Sequence, residues 1–196
     1  MIEWMNVSVM IVSSYLILHF YRKSASPAAL EKKIGPDAYP KCKQYRIIAS
    51  AFMVVVTLNY ILYFFFPLPI GLPLTFPWDY WITVTIAFVI CVPGFTLQLI
   101  GTRDAGEETI APKKEHTMYG GIYEKMRHPQ AVGEVTLWWL IAFLLNSPFL
   151  ALYSFVFIPI FYLMCLAEER DLIIRYGQDY VDYKARVGFF PQLRKK

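Results

Sequence analysis

The residues best suited to chemistry lie in the stretch 123–133, which reads Tyr-Glu-Lys-Met-Arg-His-Pro-Gln-Ala-Val-Gly. Pro129 suits the first turn of a helix, where backbone N–H groups without helical partners favour an anionic group. Arg127 adds a planar cation that matches a carboxylate or a phosphate, and His128 can donate or accept a hydrogen bond near neutral pH. The pattern therefore indicates either an anion-binding site or an ordinary polar helix cap.

A second polar stretch, 168–177, begins with Glu168 and Glu169 directly after an apolar segment. Adjacent side chains on a helix point about 100° apart, so we expect one carboxylate to face a site and the other to face water. A solvated helix start is the alternative interpretation. His116 and His128 could join these acids as metal ligands, but neither an HExxH nor a His-rich spacing is present, and the sequence predicts no metal site.

The segments that must position these residues are strongly apolar. Of 196 residues, 57% are hydrophobic and 17% are charged, and the charges leave long stretches without Lys, Arg, Asp or Glu. Because a charge is costly at the centre of a bilayer, this segregation is typical of a membrane protein with several spans. The length suits a single membrane domain over 1–196. The three widely spaced cysteines predict no disulfide framework.

Five apolar segments are present, at about 5–21, 47–66, 78–100, 132–146 and 149–166. A transmembrane helix needs roughly 20 residues. The fourth segment is short and ends in an Asn-Ser-Pro turn, so we expect the fourth and fifth to form a tight helical hairpin. The predicted fold class is an all-α polytopic membrane protein with five transmembrane helices, the last two a hairpin, plus cytoplasmic C-terminal amphipathic helices.

Two local signals refine this fold. Pro93-Gly94 inside the third segment predicts a kink, or a position where something packs close to the backbone. After Glu168 the pattern becomes amphipathic, and Gly177 divides it into two short predicted helices. Asp171 and Arg175 are spaced as an i, i+4 ion pair on the first of these.

The distribution of basic residues predicts the orientation. All 19 Lys and Arg lie in the segments 22–46, 103–127 and 170–196, which five passes place on one side of the membrane. Positive residues mark the cytoplasmic side, so we predict an outside N-terminus and a cytoplasmic C-terminus, in the cell membrane of a prokaryote or the endoplasmic reticulum of a eukaryote. The net charge is +4, and the same distribution indicates that the positive residues interact with membrane lipid and not with nucleic acid.

A hairpin returns the chain to the surface that it left, so both polar stretches should meet at the mouth of the hairpin. We therefore divide the chain into an N-terminal three-helix part, 1–101, and a catalytic part that contains the cofactor pocket, 102–196.

Several spaced motifs occur together in this catalytic part. They are Gly121-Ile122-Tyr123, Arg127-His128-Pro129 with Gly133, the Asn-Ser-Pro turn, Glu168-Glu169, and Tyr176-Gly177 with Tyr180, Tyr183 and Pro191. In this combination the chain resembles the isoprenylcysteine carboxyl methyltransferase family and, more loosely, the phospholipid methyltransferases. Two positions depart from the family pattern. Ala131 stands where the family has tyrosine, and Met164 stands where eukaryotic members carry a substrate-binding arginine.

The resemblance implies an S-adenosylmethionine-dependent enzyme like the protein-S-isoprenylcysteine O-methyltransferases, which methylates a carboxylate on a lipophilic or lipidated-peptide acceptor. Arg127 or Arg170 would bind the substrate in place of the missing arginine, and no metal is implied. A carboxylate is already ionised at neutral pH and can attack a sulfonium methyl group directly, so no general base is needed. The implied cofactor contacts are His116, Thr117, Met118, Tyr119, Tyr123, His128, Pro129, Gln130, Ala131 and Glu168.

Three alternatives stay open. A phospholipid N-methyltransferase would need a base to deprotonate its amine, and the sequence identifies none. An NADPH-dependent membrane sterol or enone reductase has a similar C-terminal end, but it needs further basic residues for the 2′-phosphate and a proton-donating tyrosine. A non-enzymatic membrane scaffold would bind no cofactor.

Overall fold

Helices make up all the regular secondary structure in residues 1–113 and 120–190, which are the residues that the computed structural model describes. The α-helices are α1 (Ile2–Ser24), α2 (Pro27–Ile34), α3 (Ala38–Phe65), α4 (Tyr80–Ala105), α5 (Pro129–Leu144), α6 (Pro148–Tyr153), α7 (Phe157–Tyr176) and α8 (Gln178–Arg186). Short 3-10 turns occupy Gly35–Asp37, Gly106–Thr109, Gly121–Glu124 and Ser154–Val156. Outside the described ranges lie the motif residue Pro191 and four predicted cofactor contacts, His116, Thr117, Met118 and Tyr119.

In the described part of the chain, four helical runs are long and apolar enough to cross a membrane, namely Ile2–Ser24, Pro27–Phe65, Tyr80–Thr109 and Pro148–Tyr176. The all-α fold of a multi-pass membrane protein is therefore confirmed. Helix α5 is also apolar but has 16 residues. Such a helix spans about 24 Å at 1.5 Å per residue, less than the ~30 Å hydrocarbon core, so the count of five full passes stays a prediction.

The helices form two antiparallel pairs with α7 between them. Helix α1 packs along α3, α4 packs along α5, and α7 contacts both α1 and α5. The shared core contains Met10, Ile17, Tyr60, Trp138 and Phe157, all of them buried. The Trp138 and Phe157 rings stack with their centroids 3.9 Å apart. This contact joins the two arms of the predicted hairpin.

The turn of that hairpin lies where the Asn-Ser-Pro sequence predicts it. Asn146 adopts a left-handed backbone conformation with φ 52°, and the Ser147 hydroxyl accepts a hydrogen bond from the Leu150 N–H at 3.3 Å to cap α6. The Trp139 indole N–H donates to the Ala151 carbonyl at 3.1 Å across the two arms. The predicted helical hairpin is thus confirmed.

Helices α4 and α5 approach each other through glycines. A Cβ added at Gly133 would lie 2.5 Å from the Gly94 carbonyl oxygen, and one added at Gly94 would overlap the Thr136 side chain. Small residues allow such close approach of two helices in a membrane. Helix α4 continues through Pro93, and the expectation of close packing at Pro93-Gly94 is confirmed. The motif residue Gly133 therefore has a packing role.

The C-terminal segment differs from its prediction in one respect. Gly177, at φ 60°, does separate two helices. The first of these is not a separate short helix, however, because α7 continues from the apolar segment through both glutamates to Tyr176. No Gly or Pro lies between Glu168 and Tyr176 to end the helix.

The expected ion pair between Asp171 and Arg175 is wrong. The Asp171 carboxylate instead accepts hydrogen bonds from the backbone N–H groups of Ala28 at 3.2 Å and Ala29 at 2.9 Å, and thereby caps the start of α2. The Arg175 Nη1 binds the Glu108 Oε1 at 2.6 Å. Buried tertiary partners outweigh the few tenths of a kcal/mol that a local i, i+4 pair contributes.

The substitution Gly133→Ala should lower the free energy of unfolding by about 1–3 kcal/mol, because the new methyl group would meet the backbone of α4. Thermal unfolding of the detergent-solubilised protein measures this effect. Gly120→Ala is the matched control, since no atom of the described residues lies within 4 Å of a Cβ added at Gly120, and it should change stability by less than about 0.5 kcal/mol. Equal unfolding midpoints for the two variants would contradict the close packing of α4 and α5.

Candidate cofactor and acceptor site

A polar cavity lies at the end of the bundle where α1, α4 and α7 finish and where α3 and α5 begin. With its open mouth included, it has about 680 Å³ of empty space. Tyr21 and Arg46 contribute to its wall from the N-terminal part of the chain. Six predicted site residues line it, namely Tyr123, Arg127, His128, Gln130, Ala131 and Glu168.

The other predicted site residues lie elsewhere. Pro129 is the first residue of α5, and its fully buried side chain packs against α4 at Gly101. Arg170 lines a different cleft, on another face of α7. His116, Thr117, Met118 and Tyr119 are outside the described residues. The structure thus brings together both polar stretches, but not every residue within them.

Glu169 is the centre of an ionic network behind the cavity wall. Its side chain is only 2% exposed. Its Oε1 accepts a hydrogen bond from the Arg127 Nε at 2.8 Å and lies 3.0 Å from the His128 Nε2, and its Oε2 lies 2.6 Å from the Lys184 Nζ. Glu168 lines the cavity, and the expectation that its neighbour then faces water is wrong, because Glu169 is buried. A buried carboxylate is stable only when it is paired. The network joins the start of α5 and the end of α8 to α7.

The Arg127 side chain takes part in this network through several hydrogen bonds. Its Nη1 donates to the carbonyl oxygens of Val187 at 2.5 Å and Lys184 at 3.2 Å, and its backbone N–H donates to the Gly188 carbonyl at 3.0 Å. Together with the bond to Glu169, these contacts hold the segment that follows α8 against the start of α5. Although Arg127 lines the cavity, its guanidinium is used mainly to position other residues.

His128 lies between the two adjacent glutamates. Its Nε2 contacts Glu169, its Nδ1 is 3.6 Å from the Glu168 Oε2, and its ring packs against Phe189 with the centroids 4.8 Å apart. The Glu168 side chain is 37% exposed and lines the cavity. Glu168 is therefore accessible to a ligand, whereas Glu169 holds the scaffold together.

Two tyrosines in the wall are fixed as hydrogen-bond donors. The Tyr183 hydroxyl donates to the Tyr123 carbonyl at 2.6 Å, and the Tyr123 hydroxyl donates to the Gly101 carbonyl at 3.2 Å. Burial raises the pKa of Tyr183 to about 12 and also raises the pKa of Tyr123. Both phenols therefore stay protonated at neutral pH and keep these bonds.

Arg46 is a cavity residue that the sequence did not predict. It lies on α3, and its Nη1 donates to the carbonyl oxygens of Glu108 at 2.7 Å and Thr109 at 2.8 Å. Its Nε is buried and has no hydrogen-bond partner within the described residues. A buried unpaired donor in a cavity wall is suited to an anionic ligand. In the sequence Arg46 is one of several basic residues before an apolar segment, and no local pattern distinguishes it.

Glu134 is a second unpredicted residue of the wall. It also lines a partly open apolar cavity of about 500 Å³ between α3, α4, α5 and α7. Glu134 and Phe161 line both cavities, so the polar and the apolar cavity are neighbours across these two side chains. Gln98 lines the apolar cavity as well, and its buried Oε1 has no hydrogen-bond partner in the described part of the chain.

The comparisons with known proteins give a family. Residues 82–179 match the family model of phospholipid methyltransferases, and this match covers half of the chain. The chain belongs to the phospholipid methyltransferase family. This is the family of integral membrane methyltransferases that includes proteins like the isoprenylcysteine carboxyl methyltransferases, so the predicted resemblance is confirmed. Neither the comparison with curated proteins nor the comparison with solved structures found a significant match.

For this membrane methyltransferase the matched region runs from α4 to the start of α8. It includes the helical hairpin, the Glu168-Glu169 pair and the start of α5. It does not include α1 and α3, which supply Tyr21 and Arg46 to the polar cavity. The family match therefore supports the methyltransferase activity and does not extend to the residues of α1 and α3.

The substitution Glu169→Gln should lower the free energy of unfolding by about 3 kcal/mol, because Arg127 would be left buried without its counter-charge. It should also make the segment around α8 more sensitive to trypsin. Thermal unfolding and limited proteolysis measure these effects. Glu124→Gln removes an exposed carboxylate near the same surface and should change neither. An unfolding midpoint of Glu169→Gln equal to that of the control would show that the network does not hold the site together.

Proposed function

We propose that this protein transfers a methyl group from S-adenosylmethionine, bound in the polar cavity, to a lipophilic acceptor that reaches the site from the apolar cavity. The observation that carries the proposal is the position of the two cavities on either side of Glu134 and Phe161. A water-soluble cofactor and a membrane-soluble acceptor can approach this junction from different sides. The family match supports the methyl-transfer chemistry.

The polar cavity has groups that fit S-adenosylmethionine. The cofactor supplies a methyl group on a positively charged sulfur and also carries a carboxylate, an amino group and two ribose hydroxyls. Gln130 and Ala131 lie in the first turn of α5, where backbone N–H groups lack helical partners and favour an anion. The accessible carboxylate of Glu168 can accept hydrogen bonds from hydroxyl or amino groups. Glu169 is not available to a ligand, because its carboxylate is paired with Arg127 and Lys184.

Our preferred acceptor is the carboxylate of an isoprenylcysteine-like lipid. Met164 lines the polar cavity, so α7 supplies no arginine there, and Arg46 from α3 offers a cation to the same cavity. Arg127 is occupied by Glu169 and by backbone carbonyls, and Arg170 faces another cleft. We therefore assign the recognition of the acceptor carboxylate to Arg46. Catalysis would then consist of positioning and desolvation, since the ionised carboxylate needs no base.

A second candidate, N-methylation of a phospholipid amine, is favoured by Glu134 and Gln98. Glu134 presents a hydrogen-bond acceptor at the junction and Gln98 presents one to the apolar cavity, and within the described residues the Glu134 carboxylate has no cation within 4 Å. A carboxylate in that position could accept a proton from an ammonium group before the amine attacks the methyl group. Glu134 would be the base that the sequence alone does not identify.

The same arrangement supports an orientation of the protein in the membrane. The described parts of the basic segments and the polar cavity share one end of the bundle. We propose that this end faces the cytoplasm, where S-adenosylmethionine is available and where positively charged loops are retained.

S-adenosylhomocysteine should raise the unfolding midpoint of the detergent-solubilised protein, whereas NADPH should not, because a ligand that binds only the folded state stabilises it. Glu168→Gln should weaken S-adenosylhomocysteine binding by about tenfold or more, since a charged hydrogen-bond acceptor is lost. Glu124→Gln is the control and should bind like the wild type. If the wild type binds NADPH and not S-adenosylhomocysteine, the reductase alternative replaces this proposal.

The two acceptor classes can be separated with two variants and two lipids. If the acceptor is a carboxylate, the wild type should methylate N-acetyl-S-farnesylcysteine, and Arg46→Gln should raise its KM by about tenfold or more while S-adenosylhomocysteine affinity is unchanged. If the acceptor is an amine, the wild type should methylate phosphatidylethanolamine, and Glu134→Gln should lower kcat by about 100-fold or more. Transfer of radioactive methyl groups to each lipid measures both. Loss of cofactor binding in Arg46→Gln would assign Arg46 to the cofactor instead.

A further inference from the structure

A third cavity lies outside the proposed reaction site. It is an open cleft between α1, α2 and α7, with about 1410 Å³ of empty space including its mouth. Helix α7 contributes Ala167, Arg170 and Ile174 to this cleft, whereas it contributes Glu168 and Leu172 to the polar cavity. At about 100° per residue these two sets lie on different faces of the helix. The cleft is therefore separated from the polar cavity by α7.

The rim of the cleft is strongly basic. Arg22 and Lys23 come from the end of α1, Lys33 from α2 and Arg170 from α7, and all four side chains are exposed. Within the described residues no carboxylate lies within 4 Å of any of these four cations. Among the described residues of the wall the one acid is Asp171, and both of its carboxylate oxygens accept hydrogen bonds from the start of α2. Among the described residues that line the cleft, four cations thus face a single carboxylate, and the cleft is net positive.

The floor of the cleft is apolar and follows the membrane-spanning part of α1. Tyr15 and Leu18 lie one to two turns before Arg22 on the same face of that helix, and Leu30 and Ile174 continue the apolar surface on α2 and α7. Tyr15 is 63% exposed. The cleft therefore has cations at the level where the span ends and apolar side chains deeper along the span.

We propose that this cleft is a binding site for an anionic phospholipid that is not the methyl acceptor. The phosphate and any further headgroup charge lie among Arg22, Lys33 and Arg170, and one acyl chain lies along Tyr15 and Leu18. The cleft matches a ligand that has both an anionic headgroup and an acyl chain. A free phosphate would leave the apolar floor in contact with water, and a zwitterionic lipid would leave the cations uncompensated.

A lipid in this position would contact three helices at once. Helix α2 is otherwise attached to α7 through the cap that Asp171 provides and packs against α3. The phospholipid would join α1, α2 and α7 around that cap, so it should stabilise the part of the chain that positions Arg46 at the start of α3. This proposal does not depend on which acceptor is methylated, or on whether S-adenosylmethionine is the cofactor.

The test compares lipid binding to the full chain. Native mass spectrometry of the detergent-solubilised protein, titrated with dioleoylphosphatidylglycerol or with dioleoylphosphatidylcholine, should show at least about tenfold tighter binding of the anionic lipid. The double substitution Arg22→Gln with Arg170→Gln should abolish this preference. Glycerol 3-phosphate, which has the anionic headgroup chemistry without acyl chains, should not displace the bound lipid.

Lys32→Gln with Lys43→Gln is the matched control, because it removes the same charge from exposed positions that do not line the cleft. It should keep the preference for phosphatidylglycerol. A photoreactive phosphatidylglycerol should also crosslink to peptides from α1 and from the end of α7. Equal binding of the two lipids, an equal loss in the control, or crosslinks confined to α4 and α5 would each overturn the proposal. Unfolding midpoints of the two double variants show that both are folded.

Discussion

The buried carboxylate of Glu169 is the interaction on which the site depends. It binds Arg127 and Lys184 and contacts His128, so the start of α5 and the end of α8 are both held against α7. These segments are far apart in the chain, and none of the three side chains would be held in a fixed place by local structure. Since a buried carboxylate loses its hydration, it requires all of these partners. Because these partners fix the position of Glu169 on α7, its neighbour Glu168 lies in the cavity wall.

Helix α7 presents a different chemistry on each of its faces. One face, with Glu168 and Leu172, lines the polar cavity, and a second carries Glu169 towards α8. A third face, with Arg170 and Ile174, lines the basic cleft. Because successive residues point about 100° apart, three adjacent charged residues can serve a ligand, a scaffold and a lipid surface. The position of α7 between the two helix pairs makes each face meet a different partner.

The approach of α4 to α5 explains how a polar cavity and an apolar one come to adjoin. Gly94 and Gly133 bring the two backbones into contact, and Glu134, the next residue, then faces both cavities. A larger residue at either glycine would separate the helices and move Glu134 away from this junction. The glycine of the family motif therefore contributes to the site through packing, and not through contact with a ligand.

Composition and local patterns alone determined the all-helical membrane fold, the hairpin and the meeting of the two polar stretches, because charge is excluded from a bilayer and a hairpin must return to its starting surface. They also predicted a shared site for Glu168 and His128, both of which line the polar cavity. Only the tertiary structure decided that Glu169 is buried, that Arg175 pairs with Glu108, and that Arg46 and Glu134 line the cavity. These outcomes depend on which helices are neighbours and on which face each presents. Such distant contacts leave no periodic signal in the sequence.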